Sequence, residues 1–361
     1  MEKVLVYPFD DNSIPYVKHQ NQFEDIKISS LLSPKGWGLE GRKYNFNEIN
    51  YIVSSNFQEC LEKCTAVLFV DSWLEVNFIK DILKKISLAS KKGKKILYMR
   101  SSNEDEISMI KKIVPDENLY IIEKENFKDL NNTQEVIYDI NTPIVFVAGE
   151  SENTDKFDLQ LSLRGEFISR GYRTSLISSR LESKFFGLHT IPSDMLSNVI
   201  SEREKIINFN NYIKEIELNE NPEIIIIGIP GGALSIGKKI KDYFGVLHYE
   251  IGKAVRPDYI FFSLLYNNYT QDYLSNISNE INMILGEKVD LFNITNNKLE
   301  FDESNRSGET VFLTLSDDFI DNKISNINLS NLCRAKKDED IKHIVDKIIY
   351  KLSDYANIQT I

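Results

Sequence analysis

The chain is poor in the residues that most often mark a site: of 361 residues, three are cysteine, four histidine and two tryptophan. Cys60, Cys64 and Cys333 are too few for a disulfide framework. Cys60 and Cys64 share one helical face at i, i+4 but have no histidine or third cysteine nearby, so they read as packing thiols. His19, His189, His248 and His343 are scattered without zinc-ligand spacing, and no metal site is expected. No G-x-S-x-G and no Cys–His pair is present, so no catalytic set is legible. A long basic stripe is also missing. With 43 Lys and Arg against 54 Asp and Glu, the net charge of −11 argues against a nucleic-acid partner. Lys91–Lys95 and Lys336–Lys337 read as solvated helix ends. No apolar run reaches the roughly 20 residues that span a bilayer. Met1-Glu2-Lys3 leads straight into the strand-like Val4–Tyr7 without a signal-peptide pattern. The expectation is a cytoplasmic protein with no membrane partner.

What the chain does have is apolar residues, 42% of the total, and length enough for two cores. The first part alternates strand and helix. Lys3–Tyr7, Ile26–Leu32, Thr65–Val70, Lys95–Met99 and Leu119–Ile122 read as strands. Phe57–Lys63, Leu74–Ser90 and Ile107–Ile113 read as helices, and the Asn- and Asp-rich Asn126–Asn141 as a link. The second part opens on the strand Ile144–Ala148. The helix Lys156–Arg170 follows, stopped by Gly171. Arg173–Ile177, the uniformly apolar Glu223–Ile227, Tyr259–Leu265, Val289–Ile294 and Val311–Leu315 are further strands. Glu202–Glu217, Gln271–Leu285 and Ile341–Ser353 complete the helices. This order predicts an α/β protein of two three-layer parallel-sheet domains: residues 1–141, Rossmann- or flavodoxin-like, and residues 142–361, P-loop NTPase-like.

Thr142–Arg164 holds the most informative pattern: buried strand, short loop, one lysine, helix. That is the layout of a phosphate-gripping P-loop, whose glycines let backbone N–H groups close on phosphate while a Lys adds charge and a Ser/Thr hydroxyl holds Mg²⁺. Gly149 and Lys156 are retained here, but Asp155 stands before the lysine and Phe157 at the hydroxyl position. At about 5 Å and an effective dielectric of about 20, a carboxylate opposes each phosphate charge by about 3 kcal/mol. A competent ATPase is therefore not expected. Asp155 could instead turn away to cap the helix, with Lys156 paired to Asp158 or Glu150. A structural loop and a retained anion or nucleotide site both remain open, and no cofactor is assigned. About 75 residues on, Glu223–Ile227 runs into Gly228-Ile229-Pro230-Gly231-Gly232, either a tight turn or a second ligand-facing loop at the same sheet edge.

Two further clusters are candidates for a ligand or partner. Lys35, Gly36, Trp37, Gly38 and Arg42 follow a strand and place a tryptophan between glycines, where it could meet a ligand, dock a partner or cover the seam between domains. Arg180 and His189 flank the aromatic Phe185-Phe186 and could line the cleft. His248, in Val246–Tyr249, reads as a packed strand histidine.

The second domain resembles a degenerate P-loop domain of the deethiobiotin synthetase type. The spacing from Gly149 to Asp155-Lys156-Phe157 and the Gly231-Gly232 turn match, but Gly228 stands where that class has an acid. Over nearly the whole chain, Val6–Asp10, Ser33–Leu39, Thr154–Gln160, Ser179-Arg180, Phe186–His189 and Ile227–Gly232 resemble the clostridial peptide maturation system proteins, which accompany bacteriocin-like precursor peptides and a radical SAM enzyme. The resemblance implies an accessory protein of ribosomal peptide natural product maturation. It would bind a precursor peptide, the radical SAM maturation enzyme or a small ligand. The alternative is a nucleotide-dependent kinase or ligase using Lys156 with non-standard Mg²⁺ ligation.

Overall fold

In the computed structural model the described residues are 1–23, 25–72, 79–122, 126–127, 135–237, 244–324, 329 and 331–358. They form two compact units: Met1–Glu123 with Leu181–Gly187, and Lys124–Arg180 with Leu188–Ile361.

The first unit is built on seven strands, β1 (Glu2–Tyr7), β2 (Ile26–Leu32), β3 (Lys43–Phe46), β4 (Ile49–Ser54), β5 (Ala66–Phe69), β6 (Lys95–Tyr98) and β7 (Leu119–Ile121). Their order is β3-β4-β2-β1-β5-β6-β7, and every pairing is parallel except β3 with β4. With β3 set aside, the strands run 3-2-1-4-5-6 by order of appearance, the Rossmann arrangement. The helices are α1 (Ile14–Lys18), α2 (Phe57–Glu62), α3 (Ile79–Lys91) and α4 (Glu104–Lys111). Leu61, Ile82, Ile86 and Ile110 bury against Leu5, Val67, Phe69 and Ile96. That core is why the apolar strands read cleanly from sequence. Residues 74–78 of the expected helix Leu74–Ser90 lie outside the described residues, as does much of the expected link. The antiparallel pair β3–β4 was not expected. It turns on Asn47 and Glu48, both at positive φ (51° and 64°), the two-residue geometry that suits hairpin twist.

The second unit holds β8 (Ile144–Gly149), β9 (Thr174–Ser178), β10 (His189–Thr190), β11 (Ile224–Gly228), β12 (Tyr259–Leu264), β13 (Leu291–Ile294) and β16 (Leu332–Cys333) in one sheet. Its order is β10-β9-β11-β8-β12-β13-β16, all parallel. Ile144–Val147 pair with Ile225–Gly228. A separate antiparallel ribbon joins β14 (Asn297–Leu299) to β15 (Phe312–Thr314), so the strand expected at Val311–Leu315 lies outside the main sheet. The helices are α5 (Lys156–Ser169), α6 (Glu202–Glu220), α7 (Val246–Ala254), α8 (Gln271–Leu285), α9 (Phe301–Ser307), α10 (Asp317–Ile324) and α11 (Asp338–Ile358). Phe209, Ile213, Ile251, Leu274 and Ile281 of α6, α7 and α8 cover the face carrying Phe146, Ile225, Ile227 and Phe262. Helix α5 packs on β8, β9 and β11 with α11 against it, closing the third layer. Local chemistry sets the helix limits. Ser201 and Glu204 form a capping box on α6, and Asn221 ends it at φ 45°. Gly286 ends α8 at φ 87°. His248 sits on α7, which corrects the expectation of a strand there.

The α7–α8 contact depends on one missing side chain. A Cβ on Gly252 would meet the Leu285 Cα at 2.8 Å and the Ile284 carbonyl oxygen at 3.0 Å, backbone that cannot rotate away. Gly252→Val is expected to destabilise the second unit by about 1–3 kcal/mol, the usual range for overpacking. The check is a lowered urea midpoint with faster amide exchange along α7.

Candidate functional site

The site is built where β8 and β11 end, side by side at the centre of the second sheet. Strand order reverses about β8, whose neighbours are β11 on one side and β12 on the other, the place where open α/β sheets take ligands. Two loops leave this edge and are bonded to each other. Ala233 N–H donates to the Gly149 carbonyl at 2.9 Å, and Leu234 N–H to that of Glu150 at 3.4 Å. Their approach needs glycine. A Cβ on Gly232 would lie 2.8 Å from the Glu150 carbonyl oxygen. One on Gly149 would lie 2.4 Å from Thr154 Oγ1 and 3.0 Å from the Ser263 carbonyl oxygen.

The backbone keeps the left-handed turns of a phosphate loop without its glycines. Asn153 and Asp155 sit at φ 55° and 52°, a region that Asn and Asp tolerate better than other side chains. Asp155 makes no side-chain cap on α5, so the capping alternative is not the one adopted. Lys156 pairs with neither Asp158 nor Glu150. Its ammonium donates to the Ser151 carbonyl at 2.6 Å and the Gly231 carbonyl at 2.7 Å, with Thr154 Oγ1 at 3.4 Å. Thr154 Oγ1 itself donates to the Ser151 carbonyl at 3.1 Å. A buried ammonium needs acceptors, and here main-chain oxygens of both loops supply them.

The polarity of the loop is thereby inverted. Burial lowers the Lys156 ammonium to about 8 against the opposing fields of Glu152, Asp155 and Glu150. An arriving phosphate would have to draw Lys156 from two charge-assisted bonds worth roughly 1.5–3 kcal/mol each. Desolvation holds the Glu150 carboxyl up at about 7, although it accepts from Leu265 N–H and, at 3.1 Å, from Tyr269 OH. On α7, burial and then the Lys156 charge push His248 down to about 3, and neither ring nitrogen has a hydrogen-bond partner.

The two other departures from the phosphate-loop pattern are filled positions. Phe157 is buried, with the Arg180 guanidinium 4.7 Å above its ring. At Gly228 any Cβ would strike the Gln160 amide at 2.0–2.2 Å. Gln160 donates to Ser179 Oγ at 2.9 Å and accepts from Ser179 N–H at 3.1 Å. Gln160, Ser151 and Thr154 were not singled out in sequence as site groups. A glutamine i+4 from the lysine was the available signal for the first.

The structure thus brings together Gly149, Asp155, Lys156, Gly228, Gly231 and Gly232, with Arg180 beside them through Phe157. His189 is placed elsewhere. Its Nε2 meets Glu220 at 2.5 Å, in the last turn of α6, and that bond is the main cause holding the Glu220 carboxyl below its ordinary range. Lys35, Gly36, Trp37, Gly38 and Arg42 belong to the first unit, after β2. Lys35 is exposed and Trp37 half-buried. Gly36 and Gly38 take φ of 92° and 70°, and Arg42 Nε donates to the Gly38 carbonyl at 3.1 Å, folding the loop on itself.

No family model matches the chain, and no curated protein matches it. Among solved structures it is similar to a DUF1611 family protein from Anabaena variabilis. The identity is 10% and the TM-score 0.59, over 81% of this chain and 88% of that one. FtsY proteins match more loosely. Chloroplast FtsY from Physcomitrella patens has 15% identity and a TM-score of 0.29, over 75% and 80% of the two chains. FtsY from Elizabethkingia anophelis has 13% identity and a TM-score of 0.31, over 81% and 91%. The first likeness is one of fold. Among the described residues no helix is long and apolar enough to cross a membrane.

Glu150 gives the loop a pH signature. Its carboxyl is raised from 4.5 to about 7, so the folded chain holds more protons than the unfolded one between those values. Stability from this group is complete below about 4.5 and lost as pH rises through about 7. Glu150→Gln is expected to gain about 2 kcal/mol more over the parent at pH 7.5 than at pH 5, from 1.36 kcal/mol per unit. Paired urea titrations at the two values check this.

Proposed function

We propose that this protein is a non-hydrolysing accessory protein of ribosomal peptide maturation, in which the nucleotide-site scaffold serves as a rigid binding body. The observation that carries the non-hydrolysing part is the Lys156 ammonium donating to the Ser151 and Gly231 carbonyls. The group that would neutralise a transferred phosphoryl is committed to the protein's own backbone. Phe157 occupies the hydroxyl position that would hold Mg²⁺, and Gln160 fills the space an acid at position 228 would need. These features favour binding over phosphoryl transfer, so the kinase or ligase reading finds no supporting geometry.

The pathway rests on the motif resemblance described above. The partner proposed is the precursor peptide or the radical SAM maturation enzyme, in the cytoplasm. Two measurements test the parts separately. Calorimetric titration with ATP, ADP and GTP, with and without Mg²⁺, is expected to show no binding up to about 1 mM, weaker than about −4 kcal/mol. Submicromolar binding that disappears in Lys156→Ala would restore the nucleotide-dependent enzyme. Affinity capture from cells carrying the maturation genes is expected to retain the precursor or the radical enzyme. Capture of neither, where those two retain each other, counts against the pathway.

A further inference from the structure

The antiparallel ribbon of β14 and β15 is tied to the loop that carries Lys156. Asn297 Nδ2 donates to the Asn153 carbonyl at 2.6 Å, and the Asn297 carbonyl accepts from Tyr266 N–H at 2.6 Å. That second bond takes up part of the outer edge of β14. The outer edge of β15 is different. Glu300 N–H donates to the Val311 carbonyl and Leu315 N–H to that of Asn296, and Lys298 stands opposite Leu313. In an antiparallel ladder the residues between such hydrogen-bonded pairs turn their N–H and C=O groups outward. Those of Phe312 and Thr314 therefore point away from β14, and they have no hydrogen-bond partner among the described residues. Leu313 and Thr314 are exposed and Phe312 is half-buried, so this edge faces solvent. The function proposed above assigns it no role.

An open edge is a template for a further strand, and proteins guard such edges with lysine, proline or a covering element. Phe312-Leu313-Thr314 has neither lysine nor proline, and only its shortness limits it. Apolar surface lies with it. Leu313 is 49% exposed, and Phe301 and Phe319, in the first turns of α9 and α10, are 53% and 43% exposed. The surroundings are acidic. From Asn297 to Ile324, seven Asp and Glu stand against three Lys and Arg. Glu309 precedes Phe312 by three residues and Asp318 follows Thr314 by four. Both are exposed, and neither has an ion pair among the described residues. This charge decides the occupant. Pairing with the same edge of a second copy brings two sets of carboxylates together, whereas a cationic strand meets them as counter-charges.

We propose that the outer edge of β15 binds an extended cationic peptide as a third strand of the ribbon. The N–H and C=O groups of Phe312 and Thr314 exchange main-chain hydrogen bonds with it. The peptide residue opposite Leu313 is apolar and shares its face, and the lysines or arginines that alternate with it reach Glu309 and Asp318. This narrows the partner named above to an extended chain and to that extent rests on that reading. The probes used below contain no pathway component. Their failure leaves the capture experiment standing, and failed capture leaves this site standing.

The test uses the full-length protein and a capped heptapeptide of alternating lysine and valine with lysine at both ends. By calorimetry it is expected to bind with a Kd on the order of 100 µM. By NMR it is expected to slow amide exchange at Phe312 and Thr314. The same peptide with glutamate for lysine, or N-methylated at every residue, is expected to bind at least about tenfold more weakly, through charge and through lost donors. Thr314→Pro removes one outward N–H and no main-chain bond of the ribbon, and should weaken binding about tenfold. Thr314→Val, which loses only the hydroxyl bond to Asn297 Oδ1, should bind as the parent does. Glu309→Gln combined with Asp318→Asn alters two exposed positions and should weaken binding about threefold or more at an unchanged melting temperature. Should Thr314→Pro unfold, the peptide controls and this double variant decide. The proposal is overturned if the parent binds no peptide at about 1 mM, or if the glutamate or N-methylated peptide binds equally well. Unaltered exchange at Phe312 and Thr314, or unchanged affinity in a folded Thr314→Pro, overturns it too. So does a dimer in sedimentation that Thr314→Pro dissolves, because the edge would then serve a second copy.

Discussion

The contact on which the second unit's central edge depends is the Lys156 ammonium between the carbonyls of Ser151 and Gly231. A charged amine in a buried position must find acceptors or lose its proton. In a working phosphate loop the ligand's oxygens meet that demand. Here main-chain oxygens meet it, and the bonds tie the loop after β8 to the loop after β11. Gly149 and Gly232 then serve a different end. They let Thr154 and the Ser151 backbone come close enough to complete the internal lattice.

Gly228 and Gln160 show the same substitution of roles. An acid after the central strand would need space for a Cβ, but the Gln160 amide lies within 2.0–2.2 Å of that point. Gln160 is held there by Ser179 on the neighbouring strand end. Restoring an acid at 228 would therefore displace a satisfied, fully buried amide and strand its polar atoms. The two positions therefore constrain each other through the Gln160 amide.

Much of this architecture was legible because parallel strands buried on both faces write themselves as unbroken apolar runs. Ile224–Gly228 and Ile144–Gly149 are the plainest cases. The hairpin of β3 and β4 escaped because β3 buries no residue, β4 buries only Tyr51 and Val53, and the turn uses Asn47-Glu48 where a glycine would have announced it. Helix α7 escaped because its nine residues, VLHYEIGKA, carry a β-branched start and a glycine that reads as a break, whereas Gly252 is there to admit α8. The loop's departures from the phosphate pattern were readable one residue at a time. The true partners of Lys156 were not, because a carbonyl oxygen has no sequence signature and Gly231 lies 75 positions away.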